Sequence, residues 1–536
     1  MLDVSNSGFA ADATSVHPGC LPETAAELGP RPCPVCGRTA GKLLLRQQFA
    51  AMSAGSLLAG YDVVVCRGCG AGYADAIPPQ TAFDDHYREM SKYEYQLRGG
   101  RESEYDLARF RAVAAIIDQL APSRGIRILD VGCATGGLLA LLKERGYGHV
   151  WGLDPSPMCA AAARRLYGIE VITGSLAELQ RGGAAVRGWG ATAGLSSSAR
   201  STGGQATRGT HQEEICSRLS RHEFELVILS GVLEHIREVR WALGVLANVL
   251  AESGLMFVSV PDATRFAAEE DAPLQQFSTE HINFFSPVSL DNAMQAAGFV
   301  PRLSRQNAYP QEHGTVMPVV DAMFQLQGPL SLRERARVRA GGRQTPLCRS
   351  GKHPMPSPPA PLPKGEGRRF DRATEPALAE YIRRSREVDK RIRAAIGAIV
   401  ARGQPIVVWG VGTHTLRLLA TSRLAEAQIV AFVDSNPRYQ GKQLHGRPII
   451  APDELRGRSE PILISSRVFQ RDIERQIRES LGLANQLHFL YSLPAGTGSF
   501  FDRGLSQVSS DETGTVPFGR AEKCACPLIA PDKEPR

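Results

Sequence analysis

The chain has 536 residues, of which 43% are apolar and 22% charged, so it is not disordered as a whole and can bury sizeable cores. At about 100–200 residues per domain, this length predicts about three domains. The net charge is +7, and no run approaches the roughly 18 apolar residues of a membrane-spanning helix, so no such helix is predicted.

Two pairs of cysteines are the first motif in chain order. They are Cys33 with Cys36 and Cys66 with Cys69, each in a C-x-x-C-G pattern within segment 31–75. Both thiolates of such a pair can bind one ion, and four thiolates form the closed tetrahedral site that structural Zn²⁺ prefers. A redox site would need only one pair in a thioredoxin-like βαβ context. We therefore predict a structural zinc module, in which four sulfurs leave no open catalytic position.

Short apolar runs alternate with helical segments after a predicted helical linker at 76–120. This alternation predicts a parallel, doubly wound sheet in a domain at 121–328. Its predicted strands are Arg127–Val131, Val150–Leu153, Ile169–Thr173, Phe224–Leu229 and Leu255–Val260. A second Rossmann-like domain is predicted at 371–495, with strands at Ile406–Trp409, Ile429–Val433 and Pro461–Ser465. The predicted fold class is α/β, with a small zinc-knuckle module and two Rossmann-like domains.

Four aperiodic segments are predicted to be disordered. They are the tail at 1–30, the Gly/Ser-rich insert at 181–222, the basic and Pro-rich insert at 329–370, and the part from 505 of the tail at 496–536. The two inserts together hold a net charge of +12, which leaves −5 for the rest of the chain. The predicted folded domains are therefore mildly acidic and lack the excess of positive charge that binds nucleic acid. No nucleic-acid or membrane partner is predicted.

The first strand of the central domain runs into a glycine-rich turn, Asp130-Val-Gly132-Cys-Ala-Thr-Gly136-Gly. Glycines let the backbone approach a ligand closely, and the Asp130 carboxylate at the strand end can meet an amine rather than a phosphate. The second strand ends in Asp154, where an acid can accept hydrogen bonds from both ribose hydroxyls. A dinucleotide site is the weaker alternative, because the G-x-G-x-x-G fingerprint is absent from the turn.

These residues resemble the class I S-adenosylmethionine-dependent methyltransferases. The resemblance implies that Gly132 and Gly136 line the methionine part of the cofactor and that Asp154 holds its ribose. It also implies that the turn containing Ser175, where many members have Asp, packs near adenine. S-adenosylmethionine is therefore the expected cofactor.

The run Ser230-Gly-Val-Leu-Glu234-His235-Ile follows the fourth predicted strand. It resembles the family's S-x-V-L-E-H-I segment, which lies under the cofactor. We interpret Glu234 and His235 as a helix N-terminus near the cofactor, in preference to a catalytic pair.

The order of the modules, together with three local matches, resembles the zinc-containing sugar C-methyltransferases that act on nucleotide-linked keto-deoxysugars. The matches are His86–Glu94, Glu280–Ser286 (E-H-I-N-F-F-S) and Gly410–Thr415 (G-V-G-T-H-T). The resemblance covers about residues 31–495 without the two inserts. It implies a small-molecule partner, a nucleotide-linked sugar.

Carbon methylation beside a ketone requires removal of an α-proton and stabilisation of an enolate. A base with a pKa near neutrality suits this task, and histidine is the usual choice. His281 is the candidate base, Glu280 can orient it, and the phenol of Tyr87 can hydrogen-bond the enolate or return a proton. The resemblance assigns base and proton-shuttle roles to the same three residues. Many relatives have a tyrosine where Ser278 stands, which leaves the mode of sugar binding open.

The second Rossmann-like domain has a glycine turn, Gly410-Val-Gly412, after its first strand, and Asp434 after its second. Free N–H groups at such a turn can bind phosphate or carboxylate, and a vestigial fold without a ligand is equally consistent with the pattern.

Three alternatives to the C-methyltransferase remain open at this level. The chain could be an O- or N-methyltransferase of another small molecule, or a non-catalytic protein whose inserts spoil the fold. A nucleic-acid methyltransferase is suggested only by charge and lacks an aromatic, basic platform. The N-terminus has no Lys or Arg before Arg31 and no secretion-signal pattern, so we predict a cytoplasmic protein.

Overall fold

The computed structural model describes residues 29–52, 57–89, 102–179, 224–268, 271–311, 315–327 and 368–491. The predicted insert at 181–222, nearly all of the insert at 329–370, almost all of the N-terminal tail and the whole tail at 496–536 lie outside these residues. None of the described helices combines the length and apolarity that a bilayer crossing requires.

A small antiparallel sheet contains the two cysteine pairs at its turns. Its first three strands are β1 (Gly41–Gln48), β2 (Gly60–Cys66) and β3 (Gly72–Asp75), each paired with the next. Two helices follow within the predicted linker, α1 (Gln80–Glu89) and α2 (Glu104–Leu120). The side chain of Ser103 caps α2 by accepting a hydrogen bond from the N–H of Asp106.

The central sheet has seven strands among the described residues. The elements of this region are β4 (Arg127–Val131), α3 (Gly137–Glu144), β5 (His149–Asp154), α4 (Pro157–Tyr167), β6 (Val171–Thr173), β7 (Phe224–Ser230), α5 (Val239–Ala247), β8 (Leu250–Pro261), β9 (Asn283–Phe284), α6 (Pro287–Ala296), β10 (Phe299–Pro310) and β11 (Val316–Leu326). The strand order is β10-β11-β8-β7-β4-β5-β6. Strands β8, β7, β4, β5 and β6 are parallel, and each lies within a few residues of a predicted strand.

An antiparallel pair at one edge differs from the predicted all-parallel sheet. Strand β11 runs antiparallel to β8, and β10 runs antiparallel to β11. Most of the sequence of strand β10, PRLSRQNAY, is polar, because most residues of this strand are exposed or only half-buried. Apolar periodicity therefore could not reveal it.

Strand β9 belongs to the zinc-module sheet and not to the central sheet. It pairs antiparallel with β3, with Gly72 opposite Phe284 and Tyr73 opposite Asn283. The resulting order is β1-β2-β3-β9. The residues that directly precede β9 are Glu280, His281 and Ile282. They form the end of the candidate catalytic loop, which therefore leads directly into the sheet of the zinc module.

The C-terminal region forms a six-stranded sheet. Its elements are α7 (Thr374–Ala401), β12 (Ile406–Trp409), α8 (Thr413–Thr421), β13 (Ile429–Val433), β14 (Gln443–Leu444), β15 (Arg447–Ile450), β16 (Ile462–Ile464), α9 (Gln470–Arg475) and β17 (Leu487–Phe489). The order is β14-β15-β13-β12-β16-β17, parallel except for the short β14–β15 pair. Strands β12 and β13 begin and end at the predicted residues, and the predicted α/β class is confirmed.

One buried carboxylate joins the three regions. The N–H of Asp371 donates to the carbonyl oxygen of Cys69 at 2.9 Å, beside the second cysteine pair. The Asp371 carboxylate accepts hydrogen bonds from Ser286 Oγ at 2.5 Å and Thr374 Oγ1 at 2.6 Å. These residues begin α6 and α7, so the zinc module, the central region and the C-terminal region share one polar anchor.

Candidate active site and zinc centre

The four predicted zinc ligands lie together. The sulfurs of Cys33 and Cys69 are 3.6 Å apart, those of Cys36 and Cys66 are 3.5 Å apart, and all four lie within 4.8 Å of one another. Four thiolates about 2.3 Å from a tetrahedral Zn²⁺ would be about 3.8 Å apart. The cluster therefore fits a structural zinc ion closed to other ligands.

Backbone geometry explains the glycine after each cysteine pair. Gly37 and Gly70 have φ of 76° and 82°, in the left-handed region that favours glycine. Their N–H groups donate to the carbonyl oxygens of Cys33 and Cys66, each at 2.8 Å, which closes each turn. A Cβ on Gly70 would lie 2.0 Å from the carbonyl oxygen of Asp371, so this position also admits no side chain.

Arg31, which lies just before the first knuckle, is buried and connects the zinc module to the central region. Its Nη1 donates to the carbonyl oxygens of Ala74 and Ile282, each at 3.1 Å. Its Nη2 donates to Asn283 Oδ1 at 2.8 Å and to the carbonyl oxygen of Arg237. Burial, and next the charge of Arg237, lower the pKa of Arg31 to about 9. No local pattern in the sequence indicates this role, because the partners of Arg31 lie 43 to 252 positions further along the chain.

The predicted cofactor turn follows β4 as expected. Gly132 has φ of 72°, and a Cβ there would lie 2.6 Å from Val232 Cγ2. Gly136, with φ of 81°, is the N-terminal cap of α3. Both positions therefore require glycine for conformation, and Gly132 also for the close approach of the segment after β7.

Asp154 ends β5, and its carboxylate contacts both the glycine turn and the start of the next segment. Oδ2 accepts a hydrogen bond from the N–H of Ala134 at 2.9 Å, and Oδ1 accepts one from the N–H of Ser156 at 2.9 Å. The carboxylate is thus fixed in place at the mouth of the glycine turn. A carboxylate oxygen can accept more than one hydrogen bond, which is the property that a ribose-binding acid needs.

The C-terminal region repeats this arrangement at Asp434, after β13. Oδ2 of Asp434 accepts from the N–H of Val411 at 3.0 Å, and Oδ1 accepts from the N–H of Asn436 at 2.8 Å. In both regions an acid after the second strand binds one N–H of the preceding turn and one N–H two residues along the chain. Burial raises the pKa of Asp434.

Asp130 is buried at the end of β4. Burial raises the pKa of its carboxyl to about 7, Arg109 opposes that rise, and the charge of Asp154 adds to it. A buried carboxylate of this kind suits a cationic partner such as the α-amino group of S-adenosylmethionine.

The region around the glycine turn, Asp130, Asp154 and Ser230 is called the cofactor crevice below. Arg109 contacts Ser230 in this crevice, and no sequence pattern indicates it. Its Nη1 donates to Ser230 Oγ at 2.9 Å and to the Ser230 carbonyl oxygen at 3.2 Å, and its Nη2 donates to Asp106 Oδ1 at 2.8 Å. Ser230, a predicted cofactor residue, therefore lies under a half-buried cation. No local signal marks Arg109, because it comes from α2, outside every recognised motif.

Ser175, the remaining predicted cofactor residue, follows β6 at the same edge of the sheet. Its N–H donates to Glu178 Oε2 at 2.6 Å, and the neighbouring Gly174 N–H donates to the carbonyl oxygen of Asp154 at 2.9 Å. The turn is thus attached to the candidate ribose acid.

The structure brings the candidate acid–base residues together around His235. Tyr87 Oη lies 2.9 Å from His235 Nδ1, and the same nitrogen lies 3.1 Å from the carbonyl oxygen of Glu280. The rings of His235 and His281 pack edge to face with centroids 4.9 Å apart. His235, which the sequence predicts to lie at a helix N-terminus near the cofactor, is the last residue of a single 3₁₀ turn and contacts both Tyr87 and His281.

Ser278 fixes the conformation of the candidate catalytic loop. Its Oγ accepts hydrogen bonds from the N–H groups of Glu280 at 3.2 Å and His281 at 3.0 Å. The loop is further held by Tyr61 of β2, whose hydroxyl donates to the Ser278 carbonyl oxygen at 2.9 Å. The serine therefore has a local structural role that a tyrosine at this position could not fill.

A second group of potential metal ligands occurs among the described residues. One ligand atom from each of Glu234, His235 and His281 lies within 4.8 Å of the others. Glu234 is buried, and its Oε1 lies 3.9 Å from His235 Nε2. These three side chains can exchange protons or hold a divalent cation. They differ in this from the cysteine cluster, whose four thiolates would fill every coordination position of a zinc ion.

Residues 105–303 match the family described as a methyltransferase domain, and residues 403–487 match the family described as C2185-like, N-terminal. None of the curated proteins compared matches the chain. The glycine turn and the acids at the ends of β4 and β5 lie within the first of these matches, so they belong to a methyltransferase domain.

Several solved structures are similar to about half of the chain. Magnesium protoporphyrin IX methyltransferase from Synechocystis PCC 6803 is 14% identical over 46% of this chain and 99% of its own, with a TM-score of 0.31. The 1,6-didemethyltoxoflavin-N1-methyltransferase from Burkholderia thailandensis is 18% identical over 49% of this chain and 96% of its own, also at 0.31. Likenesses of this degree carry no argument about substrate.

Proposed function

We propose that the chain is an S-adenosylmethionine-dependent C-methyltransferase that methylates the carbon beside a ketone on a nucleotide-linked deoxysugar. The observation that carries this proposal is the contact of Tyr87 and His281 with His235, next to the cofactor turn. An O- or N-methyltransferase acts on an atom that is already nucleophilic, so it would need fewer proton-transfer groups than a C-methyltransferase.

The cofactor crevice and the acid–base residues are linked by one short segment. Val232 contacts Gly132 at the cofactor turn, and His235, three residues later, contacts Tyr87 and His281. The N–H of Ile282 donates to the carbonyl oxygen of Glu234 at 2.9 Å, which fixes the candidate catalytic loop against this segment. The proximity supports a substrate carbon between His281 and the turn.

In this mechanism, His281 removes the α-proton of the keto sugar. Bound S-adenosylmethionine supplies an electrophilic methyl group. Tyr87 stabilises the enolate oxygen by donating a hydrogen bond, and His235 Nδ1 can accept the phenolic proton or return it. Glu280 is a positioning residue in this proposal, because its backbone carbonyl oxygen can accept a hydrogen bond from His235 Nδ1 when that nitrogen is protonated, whereas the deprotonated nitrogen can accept one from Tyr87.

The four cysteines would hold a structural zinc ion. Zinc bound there would fix the turn before β1 and the turn between β2 and β3, and, through the pairing of β3 with β9, the loop that bears His281. The ion has no part in the chemical step, because its four ligands leave no coordination site open.

The decisive experiment follows the α-hydrogen of a keto-sugar nucleotide. In D₂O with S-adenosylhomocysteine, the wild-type protein should exchange this hydrogen, and His281→Asn should exchange it about 10²–10⁴-fold more slowly while still binding the cofactor product. With methyl-labelled S-adenosylmethionine, the label should appear on carbon by NMR. A label on oxygen or nitrogen would contradict the proposal and favour the O- or N-methyltransferase.

A further inference from the structure

A second cluster of metal-ligand side chains, here called the His–Glu cluster, consists of Glu234, His235 and His281. One ligand atom of each lies within 4.8 Å of the other two. Ligand atoms on a divalent ion with bonds of about 2.1 Å are roughly 3.0–3.4 Å apart, so binding draws the three atoms inward by less than about 2 Å. Rotation about side-chain torsions covers such a distance. The geometry of the cluster therefore admits one metal ion.

The orientation of His235 is that of a metal ligand held by an outer shell. Its Nδ1 lies 2.9 Å from Tyr87 Oη and 3.1 Å from the carbonyl oxygen of Glu280. Its Nε2, on the other side of the ring, lies 3.9 Å from Glu234 Oε1. A metal-bound histidine usually donates its second N–H to a carbonyl, a carboxylate or water, which fixes the ring. A proton on Nδ1, donated to the Glu280 carbonyl oxygen, therefore makes Nε2 the ligand atom of His235.

The other two ligands are positioned by backbone contacts. The carbonyl oxygen of Glu234 accepts a hydrogen bond from the N–H of Ile282 at 2.9 Å, so its segment is fastened to the loop that bears His281. The N–H of His281 donates to Ser278 Oγ at 3.0 Å. Glu234 is buried, and a cation beside a buried carboxylate offsets the loss of its hydration. Positions that are fixed in advance lower the cost of ordering the ligands around an ion.

The donor set indicates the class of ion. Two imidazole nitrogens and one carboxylate oxygen suit first-row transition ions such as Co²⁺, Ni²⁺, Cu²⁺ and Zn²⁺, whereas Mg²⁺ and Ca²⁺ prefer oxygen ligands. Three protein ligands also leave at least one coordination position open to water. We propose that the His–Glu cluster is a second metal site, distinct from the cysteine cluster, and that one divalent transition-metal ion bound there inhibits the enzyme.

Inhibition follows from the lone pairs that the ion occupies. A neutral imidazole has one nitrogen lone pair, so His281 cannot bind an ion and remove the α-proton at the same time. An ion on His235 Nε2 also keeps a proton on Nδ1, and this nitrogen then cannot accept the phenolic proton of Tyr87. This consequence rests on the proposed function, but the affinity of the cluster for an ion can be measured without any reaction.

The test is calorimetric titration of the zinc-loaded full chain with Co²⁺ and with Mg²⁺. We expect one Co²⁺ per chain to bind in addition to the structural zinc, and Mg²⁺ not to compete with it. The absorption spectrum of the bound cobalt should lack thiolate-to-metal charge transfer, because the ion is not in the cysteine cluster. His235→Asn/His281→Asn should weaken Co²⁺ binding by more than about 100-fold, since the loss of outer-shell contacts alone costs 10- to 100-fold. Glu234→Gln, which preserves the shape of the side chain, should weaken it by at least about tenfold.

The matched control is His149→Asn/His445→Asn, which removes two exposed imidazoles outside the cluster. It should bind Co²⁺ as the wild-type protein does, and binding of S-adenosylhomocysteine checks that each variant is folded. If His235→Asn/His281→Asn does not bind S-adenosylhomocysteine, Glu234→Gln decides the assignment. Equal Co²⁺ binding by the cluster variants and the control, or no Co²⁺ bound beyond the structural zinc, would overturn the site.

Methyl transfer is measured separately from binding. Activity of the wild-type protein should fall in proportion to the Co²⁺ bound, and return when a chelating resin removes the cobalt and leaves the zinc. Unchanged or faster methyl transfer at full occupancy would overturn the inhibition. Co²⁺ binding at the cluster by a protein that methylates no keto sugar would leave the metal site standing and remove the proposed reaction.

Discussion

Arg31 donates a hydrogen bond to the carbonyl oxygen of Ile282, the residue that follows His281, at 3.1 Å. Arg31 lies two residues before the first zinc ligand, so the zinc module holds the candidate base through a side chain as well as through strand β9. The contact is buried and charge-assisted, which makes it stronger than a neutral surface hydrogen bond.

Replacing Arg31 should destabilise the protein and disturb the candidate active site. Arg31→Met would remove the buried hydrogen bonds to the carbonyl oxygens of Ala74 and Ile282 and to Asn283 Oδ1, and we expect the free energy of unfolding to fall by at least about 2 kcal/mol. Urea denaturation checks this expectation. Arg46→Met, in the same module, removes a largely exposed arginine paired with Asp62 and should leave stability unchanged. Equal stability of the two variants would show that Arg31 contributes nothing by its buried contacts.

Zinc removal should loosen the loop before β9. We expect about one zinc ion per chain by elemental analysis, and its loss in Cys36→Ala. Without the ion, amide hydrogen exchange should speed up in segment 282–284, because β9 depends on the zinc-module sheet. Cys159→Ala changes a buried cysteine of α4 outside the cluster and should retain the metal. Full metal content in Cys36→Ala would contradict the assignment of the site.

The contact between Tyr87 and His235 should be visible in the kinetics. Tyr87→Phe removes the hydroxyl that lies 2.9 Å from His235 Nδ1, so we expect kcat to fall about 10- to 100-fold with little change in cofactor affinity. Tyr147→Phe removes a comparable hydrogen bond, to Asp118, far from this group and serves as the control. Unchanged turnover in Tyr87→Phe would exclude the phenol from the chemical step.

Cofactor affinity should depend on the ionisation of Asp130, whose pKa is raised to about 7 by burial. The carboxylate that attracts the cofactor's ammonium forms only above that pH. Affinity for S-adenosylhomocysteine should therefore rise from pH 6 to pH 8 in the wild-type protein. Asp130→Asn should bind weakly and lose most of this dependence, as titration calorimetry at several pH values would show.

The same substitution should have the opposite effect on stability. A carboxyl pKa raised above its unfolded value of 3.8 means that burial of the charged form destabilises the folded state. This penalty is absent at pH below about 4, grows as pH rises and is complete above about 7. Asp130→Asn should therefore raise the melting temperature at pH 8 and have little effect near pH 4. A lower melting temperature at pH 8 would argue against a buried charge.

The sequence predicted those features that depend on nearby residues. The knuckles, the glycine turn and Asp154 are local patterns, and the structure brings each set together. Strands β4, β12 and β13 begin and end at the predicted residues, because parallel strands buried on both faces read as short continuous apolar runs.

The features that were missed depend on contacts between distant segments. Arg31 meets Ile282 across 251 positions of the chain, and Arg109 meets Ser230 across 121. His235 lies in a recognised motif, but its contact with Tyr87 joins residues 148 positions apart, which the motif does not indicate. The β9 strand has two residues, too few for any periodicity to indicate.

The pairing of Gly72 with Phe284 has a consequence for how the chain folds. The sheet that begins at Gly41 is completed only by a strand more than two hundred residues further along, so its last edge closes late in synthesis. Until then β3 presents an unpaired edge, which is a template for aggregation. A recombinant fragment that ends shortly after Asp75 should therefore be less soluble than the full chain, even when supplied with zinc.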